Sequence, residues 1–128
     1  MAQTDTLAID QGATFYKGWL YTTSLTTLVP VNITGWSAKM QLRTSPTATT
    51  PILTLWDTAN ANPASPVGAG NITLGGIAGT VLVYLAAAET KLLSGGGTFD
   101  VDLIDGSGIV YRLVQGTFAV NPPTTVLP

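Results

Sequence analysis

The sequence predicts an all-β protein, an antiparallel sandwich of seven to eight short strands with at most one short helix near residues 86–93. Two observations lead to this prediction. Short runs in which apolar and polar residues alternate recur along the 128 residues, and such alternation is typical of half-buried strands. Turns rich in Gly, Pro and Asn separate the runs, which favours many short strands over a few long elements.

The last third of the chain, residues 97–121, predicts a β-hairpin with one wet face and one dry face. Asp100 and Asp102 alternate with apolar residues on the first strand, and Arg112 lies on the return strand. Successive side chains of a strand point to opposite faces, so both carboxylates point away from the core. We interpret them as partners of Arg112 in a cross-strand charge pair, not as a catalytic dyad.

The register of this hairpin depends on its loop. Pairing Asp100 with Arg112 and Val101 with Tyr111 keeps like faces together only if the loop holds an odd number of residues. We therefore expect a three- or five-residue turn, or a glycine bulge, around residues 105–108.

Shorter patterns predict the other elements. The alternation over residues 36–43 indicates the cleanest half-buried strand in the chain. Residues 86–93 contain good helix formers and predict one or two helical turns. Residues 57–70 have no periodicity and contain two prolines and two glycines, so they predict a surface loop that is either mobile or held by a partner. The remaining strands are expected at about 14–24, 52–56, 71–74 and 80–85.

These patterns divide the chain into three segments. Residues 1–8 are expected to form a flexible or docked N-terminal arm, and residues 9–121 form the sandwich. Pro122 and Pro123 end the last strand, because proline cannot donate to a ladder. Residues 122–128 then form an extended C-terminal tail.

The composition excludes several kinds of chemistry. The chain has no Cys and no His, which removes disulfides, thiol nucleophiles, Ser-His triads and nearly every zinc site. Charged residues make up 9% of the chain, against about 25% in ordinary domains. A surface with so few charges is expected in a protein that neighbouring proteins cover, and equally in a β-protein whose exposed residues are simply polar and uncharged.

Charge and hydropathy also bear on partners and compartment. A net charge of −2 with five scattered basic residues argues against nucleic-acid binding. No apolar run reaches the length of about 18 residues that a membrane span needs. The first five residues lack the basic start and apolar core of a signal peptide. We therefore expect synthesis in the cytoplasm and no membrane partner.

Candidate ligand sites are few. Asp100, Asp102 and Asp105 could supply oxygen ligands to calcium, but they lack the ligand density of a loop site, so we expect a solvated strand face and no metal. The glycines at 95–97 precede a strand and not the helix that phosphate binding needs, so we expect no cofactor.

The three tryptophans, Trp19, Trp36 and Trp56, allow either a sugar-stacking platform or core packing. Two of them have strand parities that point inward, so we favour core packing. Trp56, beside the long loop, is the tryptophan that we expect to be exposed. No base of suitable pKa is near any candidate nucleophile, so we expect no enzymatic activity.

The chain resembles small virion domains of tailed phages. The resemblance lies in residues 9–15, 32–43, 79–90, 98–103 and 110–116. The sequence of these segments is similar to that of the immunoglobulin-like domain at the N-terminus of upper-baseplate proteins, which carry receptor-binding proteins. It implies an immunoglobulin-like (Ig-like) sandwich with a structural, non-catalytic role and homo-oligomeric or ring-like placement. Unlike those proteins, this chain has no long helical or fibre-forming extension, which implies a free-standing accessory protein.

We therefore expect a virion structural protein, made in the host cytoplasm and present in several copies as a tail, baseplate or collar accessory or a fibre-docking component. A capsid decoration protein on the head surface is the first alternative. The second is a carbohydrate-binding module that contacts a host-surface glycan. The expected partners are other virion proteins and copies of itself, through the long loop and the tail. The expected contact residues are Trp56, Asn60, Asn62, Pro63, Pro66, Val67, Pro122, Pro123, Val126 and Leu127.

Overall fold

The computed structural model describes residues 3–23, 29–57 and 71–123. This part of the chain contains eight strands, one short α-helix and a 3-10 turn at Gly76–Ala78. The helix α1 spans Ala87–Thr90, inside the region where the sequence predicts it. The strands are β1 Gln3–Asp10, β2 Phe15–Leu20, β3 Ser37–Arg43, β4 Leu53–Trp56, β5 Ile72–Leu74, β6 Thr80–Leu85, β7 Gly96–Ile104 and β8 Val110–Asn121.

The strands form two sheets that pack face to face. The five-stranded sheet has the order β1-β8-β7-β3-β4, and the three-stranded sheet has the order β2-β6-β5. Hairpin neighbours β7 and β8 share a sheet, while β2 crosses to the opposite sheet from β1 and β3. This distribution of strands is that of an immunoglobulin-like sandwich, and it confirms the fold class predicted from the sequence.

One strand pair differs from a purely antiparallel sandwich. β1 pairs with β8 in parallel, from Gln3 opposite Val114 to Asp10 opposite Asn121, whereas every other ladder of the described residues is antiparallel. The first and last strands meet without any connecting turn. Such a pairing therefore leaves no turn signal in the sequence.

The boundary predicted at residue 9 is corrected by the same strand. Residues 3–8, expected as part of a flexible or docked arm, belong to strand β1, and Leu7 is buried together with Ile9. Gly116 lets β1 approach closely, because a Cβ there would lie 1.8 Å from the carbonyl oxygen of Asp5. The segment has only two large apolar side chains, which is too short a pattern to predict a strand.

The core lies between the sheets and is built by strict alternation. On β3 every second residue is buried, as the sequence predicts. On β6 the inward residues Val81, Val83 and Leu85 are fully buried. They face the apolar side of the five-stranded sheet, where Val101 and Leu103 of β7 are also fully buried. Burial on this scale is the main stabilising contribution to such a fold.

The hairpin between β7 and β8 has a five-residue loop, 105–109, which confirms the expected odd count. The carboxylate of Asp105 accepts hydrogen bonds from the amides of Ser107 and Ile109, at 2.8 and 3.0 Å. This capping requires five loop residues rather than three. The pair next to the loop is therefore Ile104 with Val110, so each of the first residues of β8 faces a β7 residue two positions later than expected.

The expected register is wrong for this reason. Arg112 is opposite Asp102, not Asp100, and Tyr111 is opposite Leu103, not Val101. A bulge then follows between Val101 and Asp102, which inserts one extra residue on β8 and keeps apolar side chains on the inner face of both strands.

Candidate docking surfaces

The outer face of the five-stranded sheet carries charged side chains in pairs. Arg112 Nε lies 2.9 Å from Asp102 Oδ1, and Arg112 Nη2 lies 3.6 Å from Asp100 Oδ2. This confirms the cross-strand charge pair. Burial raises the pKa of Asp100, and the charge of Asp102 raises it further, against the opposing effect of Arg112. The hydrogen bond to Asp102 raises the pKa of Arg112.

A shallow groove of about 480 Å³ runs across this face. Its cations are already engaged, since Arg43 donates to the carbonyl of Ala48 and to Gln41 Oε1. Lys39 Nζ lies 4.9 Å from the centroid of the Trp56 ring, within cation–π range. A ligand here would compete with these internal contacts. The lining residues are Lys39, Gln41, Arg43, Pro46, Ala48, Thr49, Asp100, Asp102 and Arg112.

The three aspartates considered as calcium ligands have other partners. Asp105 accepts the loop amides and, at 3.2 Å, the hydroxyl of Tyr111. Asp100 and Asp102 share Arg112. Among residues 3–23, 29–57 and 71–123, no group of three or more His, Cys, Asp or Glu side chains is arranged to hold a metal ion.

An ionic clasp joins the two sheets at one edge. Asp5 Oδ2 on β1 accepts a hydrogen bond from Trp19 Nε1 at 3.0 Å and lies 3.1 Å from Lys17 Nζ, both on β2. Burial on its own would raise the pKa of Asp5, but the hydrogen bonds from Trp19, Lys17 and Thr6 lower it overall. Lys17 interrupts the apolar pattern of β2 because it reaches this carboxylate.

An aromatic cluster occupies the end of the sandwich that bears the β7–β8 loop. Trp36 and Tyr111 stack with centroids 5.4 Å apart, and Tyr21 lies 6.1 and 6.3 Å from them. Desolvation and the hydrogen bond to Asp105 raise the pKa of Tyr111. Tyr21 and Trp36 also pack against the core, so the rings contact one another and the interior.

The outer face of the three-stranded sheet is apolar, unlike the charged outer face of the five-stranded sheet. Tyr16 and Tyr84 form a cross-strand pair with ring centroids 5.0 Å apart, and Leu82 lies opposite Gly18. A Cβ at Gly18 would be 2.7 Å from Leu82 Cδ2, so the leucine side chain covers the glycine. We call these four residues, with Leu20, Thr73 and Thr80 at their margin, the β2–β6 face.

The β2–β6 face exposes large apolar side chains and no charge. Tyr16 is 72% exposed, Leu82 52% and Tyr84 39%. The charged neighbour Lys17 has the opposite parity and points to Asp5. Sequence reasoning missed this face. The only available signal was the uncharged alternation of residues 80–84, because β2 and β6 become neighbours only in the folded chain.

The predicted contact residues are only partly within the described structure. Trp56 is half-buried at the end of β4, beside Lys39, rather than fully exposed. Pro122 and Pro123 are exposed directly after β8. Of the other two tryptophans, Trp19 is buried and Trp36 is half-buried. The remaining predicted residues lie outside the described residues: Asn60, Asn62, Pro63, Pro66, Val67, Val126 and Leu127.

Comparison with known proteins finds distant structural similarity and no family. No family model matches the chain, and no curated protein matches it. The first Ig-like domain of human CD48 antigen is a similar solved structure, with 13% identity over 99% of this chain and 91% of that one and a TM-score of 0.44. The extracellular domains of the voltage-gated sodium channel beta4 subunit are another, with 11% identity over 96% and 95% and a TM-score of 0.47.

The two packed sheets and their strand orders define the class as an Ig-like β-sandwich. No helix of the described residues has the length and hydropathy to cross a membrane.

Proposed function

We propose that this chain is a non-enzymatic structural protein of a tailed-phage virion, present in several copies at the tail, baseplate or collar. It docks there onto neighbouring virion proteins, in the manner implied by the resemblance of most of residues 9–120 to upper-baseplate domains. The β2–β6 face is the observation that carries this proposal.

The physical argument rests on the cost of removing water. Three large side chains, Tyr16, Leu82 and Tyr84, form a contiguous apolar patch without charge. Covering such a patch releases water from apolar surface and breaks no ion pair. The groove on the opposite sheet is less suited to docking, because its Arg43 and Arg112 contacts would first have to be broken.

Aromatic exposure gives the carbohydrate-binding alternative some support. Tyr16 is the most exposed aromatic side chain among the described residues, and tyrosine rings stack on sugars. Titration of host-surface glycans against tyrosine and tryptophan fluorescence tests this alternative. Saturable quenching that Tyr16→Ala abolishes would support it, and a flat titration would remove it.

Immunogold electron microscopy of intact particles tests the main proposal. Antibodies raised against the purified chain are applied to particles of the phage that encodes it, with antiserum absorbed on the same protein as the control. Label at the tail, baseplate or collar is the expected result. Label over the head would support the capsid decoration alternative, and particles that carry neither label nor the protein by mass spectrometry would overturn the virion assignment.

A further inference from the structure

The carboxylate of Asp100, in the groove on the five-stranded sheet, has unused hydrogen-bonding capacity. Within residues 3–23, 29–57 and 71–123 its side chain accepts no hydrogen bond, and its ion pair with Arg112, at 3.6 Å, is too long to be one. The side chain is nevertheless only 38% exposed, and burial raises its pKa. An ionised carboxylate has about four acceptor sites, so a ligand can donate to Asp100 without displacing an existing hydrogen bond.

Two glutamines flank Asp100 across the sheet. Gln41 is opposite Asp100 on β3 and Gln115 is opposite it on β8, and residues directly opposite one another share a face. Gln41 Nε2 donates to Thr54 Oγ1, and Gln115 Oε1 accepts from Arg112 at 3.4 Å. Each side-chain amide nitrogen carries two N–H donors, so among the described residues both glutamines keep a donor beside the open carboxylate.

The groove around these side chains has the volume of a small-molecule site. Its cavity of about 480 Å³ adjoins a second one of about 520 Å³, and Gln41, Asp100 and Arg112 line both. Gln115 lines the second cavity. Sites for small ligands have volumes of about 300–1,000 Å³. The row of amide, carboxylate and amide therefore lies along a hollow that a ligand of this size can occupy.

The pattern of donors and acceptors selects the chemical class of the ligand. An ammonium group only donates and a carboxylate or phosphate only accepts, whereas one hydroxyl donates to Asp100 and accepts from Gln115 at the same time. An anion would also have to take Arg43 and Lys39 from their internal partners. Lys39 lies opposite Asp102 in the next row of the sheet, so donor and acceptor are again side by side. Several hydroxyls on one rigid ring fit both rows at a low cost in entropy.

We infer that this groove binds a neutral saccharide, whose hydroxyl groups donate to Asp100 and accept from the side-chain amides of Gln41 and Gln115. The site lies on the opposite sheet from the β2–β6 face. The inference therefore goes beyond the proposed docking function and does not depend on it.

NMR titration of the purified full chain tests the site. The probes are neutral di- and trisaccharides of glucose, galactose, mannose, rhamnose and N-acetylglucosamine. At least one is expected to bind saturably, with a Kd of about 1–10 mM because the groove is open, and to shift the side-chain amides of Gln41 and Gln115. Asp100→Ala should raise this Kd at least about tenfold. Asp10→Ala is the matched control, since Asp10 is an exposed aspartate outside both cavities and should leave the Kd unchanged.

Two further measurements make the result independent of one variant. Near-UV circular dichroism reports whether Asp100→Ala keeps the fold, and Gln115→Ala, at an exposed position, weakens binding without touching the carboxylate. The pKa of Asp100 in the wild type needs no variant at all. Hydroxyl groups that donate to the ionised carboxylate stabilise it, so an NMR pH titration should give a lower pKa for Asp100 with the bound saccharide than without it.

The absence of a saturable shift with every probe overturns the inference. Binding that Tyr16→Ala abolishes and Asp100→Ala leaves intact also overturns it and assigns the saccharide to the tyrosine face. Tighter binding of sialyllactose than of lactose would contradict a neutral ligand.

The outcome is separable from that of the proposed function. A chain that labels the particle and binds no probe leaves the virion role standing and removes the groove site. Saccharide binding without label on particles contradicts the virion role alone.

Discussion

The ionic clasp between the sheets predicts a pH-dependent stability. In Asp5→Ala the indole N–H of Trp19 loses its acceptor and Lys17 loses its counter-ion. Trp19 is buried, so its unpaired donor is costly, and a hydrogen bond to a charged group contributes about 1.5–3 kcal/mol. The exposed Lys17 pair adds less than about 1 kcal/mol. We expect a loss of about 2 kcal/mol at pH 7.

Asp5→Asn separates the charge from the hydrogen bond. The amide oxygen still accepts from Trp19, so the expected loss is about 1 kcal/mol, which lowers Tm by about 4 °C in a domain of this size. The pKa of Asp5 is lowered in the folded state. Its contribution is therefore fully present above the unfolded pKa of about 3.9 and is lost as pH falls through the folded pKa.

Urea denaturation followed by tryptophan fluorescence measures both effects. The free energies of unfolding of wild type and Asp5→Asn should differ at pH 7 and converge as pH falls through the lowered folded pKa of Asp5, where the carboxyl becomes protonated. Asp10→Asn, an exposed aspartate on the same strand, is the control and should stay within about 0.5 kcal/mol of wild type. A difference between wild type and Asp5→Asn that persists undiminished at low pH would refute the assigned role of the carboxylate.

Three other substitutions test separate contacts. Gly116→Ala places a Cβ against the carbonyl of Asp5 and should lower the free energy of unfolding, measured in urea, by about 3 kcal/mol. Gly106 has open space around it, so Gly106→Ala is the control and should change the free energy of unfolding little. Glu89→Ala removes a buried carboxylate that accepts from the Ala86 amide and the Asn71 side chain. Thermal unfolding should show a loss of about 2–3 kcal/mol in the free energy of unfolding, because buried donors lose their acceptor; an unchanged Tm would contradict this bonding. Arg112→Met should cost less than about 1 kcal/mol in urea and raise the pKa of Asp100 further in an NMR titration, because Arg112 opposes the effects that already raise it.

Sequence patterns predicted those strands whose alternation and neighbouring turns lie close together in the chain. Strand β3 and the hairpin strands β7 and β8 were predicted because their alternation and the turn between them lie within a few residues. The hairpin register was wrong because the capping role of Asp105 depends on loop geometry that the pattern does not contain.

Pairings between distant segments were not predictable in this way. Lys17 looked like a break in an apolar face until Asp5 of the other sheet was placed beside it. Tyr16 and Tyr84 are 68 positions apart in the sequence, and only the β2–β6 ladder makes them neighbours. The candidate surface was missed for this reason, while the polar face around Arg112, built from one hairpin, was found.

The parallel pairing of β1 with β8 has a consequence for biosynthesis. Residues 3–10 leave the ribosome more than 100 residues before their partners at 114–121. During that interval Leu7 and Ile9 have no strand to pair with, and β1 cannot join the five-stranded sheet because β8, which lies between β1 and β7, has not been made. Because long-range closure slows folding, we expect the nascent chain to remain sensitive to protease and to chaperone binding until the final strand emerges.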